Sequence, residues 1–289
     1  MNDDVWKNLG KILDYMKEDI VKLIIHLYQL PTYKTPKMKH PFTLEQETSE
    51  QLFLDFLRMK LGDEYYQIGI KAMQEHIFKI KDEQGNPYTK SGLDWSNSFY
   101  QISLNYNVSD VVTYAHEYAH YLQKANNTTS FMLGETIPIF IEQLATLFLK
   151  EQFPNERKIY FCDFERYQWN EESVTSEYIC LCEEHLYTYY SLLSMRYIFG
   201  LLISCKLYQD YLLSPSNALK EAKQFALALE EGNFNAAMEA VGVNITYENA
   251  QLHYTNREFY QLLYCYKQHY QQLVNEYYQL NTKRLKFWK

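Results

Sequence analysis

The chain has 289 residues, 47% apolar and 22% charged, which is enough to bury a sizeable core in one large domain or two modest ones. Its 36 acids against 28 bases leave a formal charge of −8, and no Lys/Arg cluster supplies the electrostatic footprint of a nucleic-acid binder. The longest apolar stretches, such as residues 197–205, are far too short to span a bilayer, and residues 1–19 lack the basic-then-apolar layout of a secretory signal. Neither a membrane nor a nucleic acid is therefore an expected partner.

Helical periodicity dominates, with only 9 Gly and 7 Pro as punctuation. In chain order it predicts helices over residues 5–30, 44–59, 63–80, 109–124, 137–152, 173–212, 218–230, 234–241 and 256–278. Residues 30–42 hold three Pro and read as an extended connection, which sets an N-terminal helical segment, residues 1–43, before a compact domain over 44–289. Gln84-Gly85-Asn86-Pro87 is a turn signal, and residues 98–106 alternate apolar and polar side chains like a strand. The expected fold is mostly α, with a small antiparallel β-sheet just before the helix at 109–124. Five cysteines at irregular spacing, with no CxxC pair, read as reduced thiols of a cytoplasmic protein. Twenty-eight tyrosines imply many buried rings whose hydroxyls need partners.

One helix carries chemistry. His116-Glu117-Tyr118-Ala119-His120 places two imidazoles four residues apart on one helical face, so both can reach a single metal. Glu117 lies beside them, close enough to take a proton from a water that zinc has made more acidic. Ser109 or Asp110 can cap this helix, and Val111, Val112, Ala115 and Ala119 give it a packing face. His26, His40, His76, His253 and His269 show no ligand-like spacing.

A catalytic site with one open position needs a third protein ligand. Pro138 suits the first turn of a following helix, and Glu142 then lies one turn inside it. Its neighbours Ile139, Phe140, Ile141, Leu144 and Ala145 are apolar, which favours an inward-facing carboxylate. Glu142 is the first choice as ligand and Glu135 the alternative. One Zn2+ per chain is the expected cofactor, and the fold class becomes a helical zincin-type catalytic domain.

The surrounding residues resemble the thimet oligopeptidase and oligoendopeptidase F group of zinc metallopeptidases. Asn105-Tyr106-Asn107, then Asp110-Val111-Val112-Thr113-Tyr114-Ala115 leading into the HExxH run, are similar to the pattern around that group's zinc helix. Ile139-Phe140-Ile141-Glu142-Gln143-Leu144-Ala145-Thr146 resembles its third-ligand helix, with Glu142 favoured by the thimet pattern and Gln143 falling on the ligand in the oligoendopeptidase one. Leu61-Gly62-Asp63-Glu64-Tyr65 and the segment to Gly92 resemble what precedes the substrate-binding strand, and His185 through Tyr197 and Gly200 resembles the His/Tyr-rich helix. The likeness covers roughly residues 44–270, with Ala119 where the family has Gly and a chain about half the family's usual length.

The resemblance implies hydrolysis of peptide bonds, with short oligopeptides as substrate. It implies that the peptide lies extended beside the strand containing Gln101, Ser103 and Asn105, pairing with its backbone. It also implies that His185, Tyr190 and Tyr197 donate hydrogen bonds to the oxyanion. A homodimer or a partner chain would stand in for the family's N-terminal half. The other reading is a non-catalytic, peptide- or protein-binding relative that keeps the metallopeptidase scaffold.

Overall fold

The computed structural model describes residues 43–80, 92–94, 99–102, 104–123, 127–156, 159–160, 189–248 and 251–285. The expected helix at 5–30 lies outside them. The chain is mostly helical, as its periodicity implies. It divides into two compact units, and the cut between them falls between Ile139 and Phe140, inside one continuous helix. Among the described residues, one unit holds 43–122, 140–160 and 273–285, and the other holds 123–139 and 189–272.

The first of these units opens with helix α1 (Gln46–Phe56), continued by a π-helical turn over Leu57–Leu61. Gly62 ends it at φ 104°, a conformation that a side chain would resist, and the Gly62 N–H donates to the Leu57 carbonyl at 2.9 Å. Helix α2 (Asp63–Gln74) comes next, and here the structure departs from the expected helix over 63–80. The chain leaves the helix through His76 at φ 52°, and Phe78–Ile80 form strand β1. Pairing with a distant strand outweighs the continuing helical period of these few residues.

Strands β2 (Gly92–Asp94) and β3 (Phe99–Ile102) complete a three-stranded sheet of order β1-β3-β2. β1 runs parallel to β3, with Phe78 opposite Tyr100 and Ile80 opposite Ile102; β2 runs antiparallel, with Gly92 opposite Gln101. The small sheet before the HExxH helix is thus mixed rather than antiparallel.

Helix α3 (Ser109–Leu122) carries the HExxH run. Its cap is Asn107, not Ser109 or Asp110. The Asn107 side chain accepts from the Ser109 N–H at 2.8 Å, while the buried Asp110 carboxylate reaches back to the N–H groups of Asn105 and Asn107 at 2.8 and 3.1 Å. This reciprocal arrangement satisfies donors that the helix start leaves over. Val111, Val112, Tyr114, Ala115, Tyr118 and Ala119 are buried. Phe53 of α1 stacks on Tyr114 at 5.6 Å between centroids and meets Tyr118 edge-on at 5.5 Å. Both tyrosines find partners: Tyr114 donates to Glu50 at 3.1 Å, and Tyr118 to the Tyr65 carbonyl at 2.7 Å. Burial holds both phenols protonated well above the usual tyrosine range.

In the second unit, helix α4 (Thr128–Leu133) is closed by a capping box between Asn127 and Ser130. Helix α5 (Thr136–Gln152) crosses the cut; from Phe140 onward its Phe140, Leu144, Ala145 and Phe148 are buried, and Phe148 packs on Phe56 at 6.1 Å. Helix α6 (Tyr189–Leu213) precedes helix α7 (Pro215–Glu230), which has Pro in its first turn. Asn127 and Thr129 bond the Leu229 and Gly232 carbonyls, pinning α4 to the turn after α7. Helix α8 (Phe234–Ala240), the hairpin β4 (Thr246–Glu248) and β5 (Gln251–His253), and helix α9 (Asn256–Leu285) complete the chain. Among the described residues no helix is long and apolar enough to cross a membrane.

Candidate metal centre

The pitch of α3 brings its two histidines together. His116 and His120 rings lie 4.7 Å apart between centroids, nearly perpendicular, with their Nε2 atoms 3.1 Å from each other. Two nitrogens bound tetrahedrally to one zinc stand about 3.3 Å apart, so the rings already hold close to that bite. Glu117, the next residue after His116, is buried at 3% exposure.

Of the two candidate carboxylates, Glu142 lies in the body of α5 and Glu135 immediately precedes its first residue. They do not occupy equivalent places. Glu142 Oε1 lies 2.8 Å from His116 Nδ1, the ring nitrogen turned away from His120. Glu135, at 2% exposure, precedes the first turn and accepts the Ile139 N–H on its carbonyl. Glu142 belongs to the same compact unit as His116 and His120, and Glu135 to the other. Gln143, next to Glu142, is buried.

No protein-family model, curated protein or solved structure matches this chain. The chemistry of the site is therefore argued from its donors. Two imidazoles and a buried carboxylate suit zinc by ligand type, and three protein ligands leave a position for water or substrate.

Gln101 lies in β3, which is flanked by β1 on one side and β2 on the other, so Tyr100 and Gln101 are paired on both sides. A peptide therefore cannot add beside Gln101, where the expected substrate strand begins. Ser103 lies outside the described residues, and the exposed Asn105 gives its N–H to Asp110. His185 also lies outside the described residues; Tyr190 falls in the first turn of α6, and Tyr197 is half-buried on the same helix.

Sequence reasoning passed over Arg196, whose guanidinium Nη2 lies 2.6 Å from Glu135 Oε1. Its signal was a lone arginine in the mainly apolar first half of α6, a placement that a buried carboxylate partner explains.

Proposed function

We propose that this chain is a zinc-dependent metallopeptidase that cleaves short peptides with Glu117 as general base. The observation that carries the reading is the facing of the His116 and His120 Nε2 atoms at 3.1 Å, with the Glu142 carboxylate of the same unit 2.8 Å from His116. Glu117 is part of the same helix, fixed relative to His116 by one residue step.

Zinc, when bound, acidifies water and polarises the scissile carbonyl. His116 and His120 would hold it through imidazole nitrogens, with Glu142 of the same compact unit the first choice as anionic ligand. Glu117 takes the proton from the attacking water and returns it to the leaving nitrogen, so that bond cleavage releases an amine rather than an amide anion.

The likeness to the oligopeptidase group supports a peptide substrate and assigns His185, Tyr190 and Tyr197 to the oxyanion. An extended substrate would add at an outer edge of the small sheet, β1 or β2, because β3 is internal.

The deciding experiment compares wild type with Glu117→Gln for zinc content and for hydrolysis of a quenched fluorescent peptide library. One zinc per chain in both, with cleavage lost by a factor of about 10²–10⁴ only in the variant, is the expected outcome. Zinc bound by a wild type that cleaves nothing would favour the binding-protein reading, and no zinc in either would end the proposal.

A further inference from the structure

We propose that a small cleft formed by helices α6 and α9 and the turn after α8 binds a phosphate group. Its residues all belong to the compact unit that holds 189–272, whereas His116 and His120 belong to the other. Such a site goes beyond the peptidase reading and does not depend on it. The cleft has a volume of about 200 Å³ and is lined by Lys206 of α6, Gly242 and Asn244 of the turn, and Arg257, Glu258 and Gln261 of α9. Pockets for drug-sized ligands run to roughly 300–1,000 Å³, so this one suits a compact ion better than a nucleotide or a peptide. Lys206 reaches it on a largely buried stem, with its side chain 15% exposed. The bare backbone of Gly242, at φ 64°, lies beside the ammonium; an added Cβ would touch Lys206 Nζ at 3.7 Å and take up space there.

Two cations line the cleft, and the acids beside them are already engaged. Asp210 Oδ2 accepts from Lys206 Nζ at 2.7 Å, which leaves the ammonium two more donors. Glu258 Oε2 accepts the Thr255 N–H at 2.7 Å and its hydroxyl at 2.6 Å, and Oε1 accepts from the Asn244 side chain at 2.8 Å. Arg257 is exposed and forms no ion pair among the described residues. Its planar fork fits two oxygens of one phosphate. Gln261, one turn further along α9, adds a neutral amide donor. A phosphate carries close to two charges and has oxygens enough for the ammonium, the guanidinium and the amide together. A carboxylate has one charge and two oxygens, and uses only part of that set.

The test titrates inorganic phosphate into the full chain by calorimetry at fixed ionic strength, for wild type, Arg257→Gln, Lys206→Gln and His116→Ala. Acetate and O-phosphoserine are titrated into the wild type in parallel. One phosphate per chain at about millimolar affinity or better is expected. Arg257→Gln and Lys206→Gln should each weaken it about 10–100-fold, because each removes charge-assisted hydrogen bonds. His116→Ala should bind phosphate like the wild type; a loss there would assign the anion to the histidine pair and overturn the proposal. No saturable binding by the wild type, or an unchanged affinity in either cleft variant, would overturn it as well. So would acetate binding as tightly as phosphate, since the cleft would then recognise a single charge. Should Lys206→Gln fail to fold through loss of the Asp210 pair, Arg257→Gln, at an exposed position, decides alone. O-phosphoserine binding at least as tightly as inorganic phosphate identifies a phosphomonoester as the occupant, and weaker binding identifies the free ion; the site stands in both cases.

Discussion

His116 carries its two nitrogens into different surroundings. Nε2 faces the matching atom of His120, while Nδ1 lies 2.8 Å from the Glu142 carboxylate. Glu142→Ala should therefore weaken zinc by at least about 10–100-fold, read by chelator competition, and wild-type affinity in that variant would remove Glu142 from the site. The identity of the histidine pair was legible in five consecutive letters because helix pitch alone brings i and i+4 together. The choice between Glu135 and Glu142 was not legible, since packing and not helix spacing brings one of them to His116.

Helix α3 depends on its first turn for more than its own stability, because the cap sets where the HExxH run begins relative to β3. Asn107 accepts from Ser109, and Asp110 ties back to Asn105 and Asn107, so one small network joins the strand exit to the HExxH helix. Asn107→Ala is expected to cost about 1 kcal/mol in urea denaturation, through loss of the cap. A change near zero would show that Asp110 alone carries the turn. At this scale the sequence pattern was right about helices α1, α3, α5, α7 and α8 to within a few residues and wrong about the end of α2. The stretch 77–80 has too few residues for its period to separate strand from helix, and its strand form depends on Tyr100 donating to the Ile77 carbonyl at 2.7 Å, a contact 23 positions away in sequence. The central place of β3 is likewise a matter of pairing partners, which no local pattern contains.

For the whole molecule, a ligand that binds only the folded chain raises its stability by mass action. Zinc at about 100 times its dissociation constant should add about 2.7 kcal/mol, read as a rise in thermal midpoint of several degrees after chelator-stripped protein is reloaded. Glu117→Gln should show the same rise and His116→Ala should lose it. An equal rise in His116→Ala would place the bound metal elsewhere. The mostly helical class, the two imidazoles on one face and the neighbouring carboxylate were determined by the sequence, because each depends on spacing within a single helix. The mixed sheet, the internal position of β3, the approach of Glu142 to His116 and the presence of Arg196 against Glu135 were decided only by tertiary structure. Those features join residues far apart in the chain, and which of several equivalent side chains meets its partner is settled by packing rather than by local propensity.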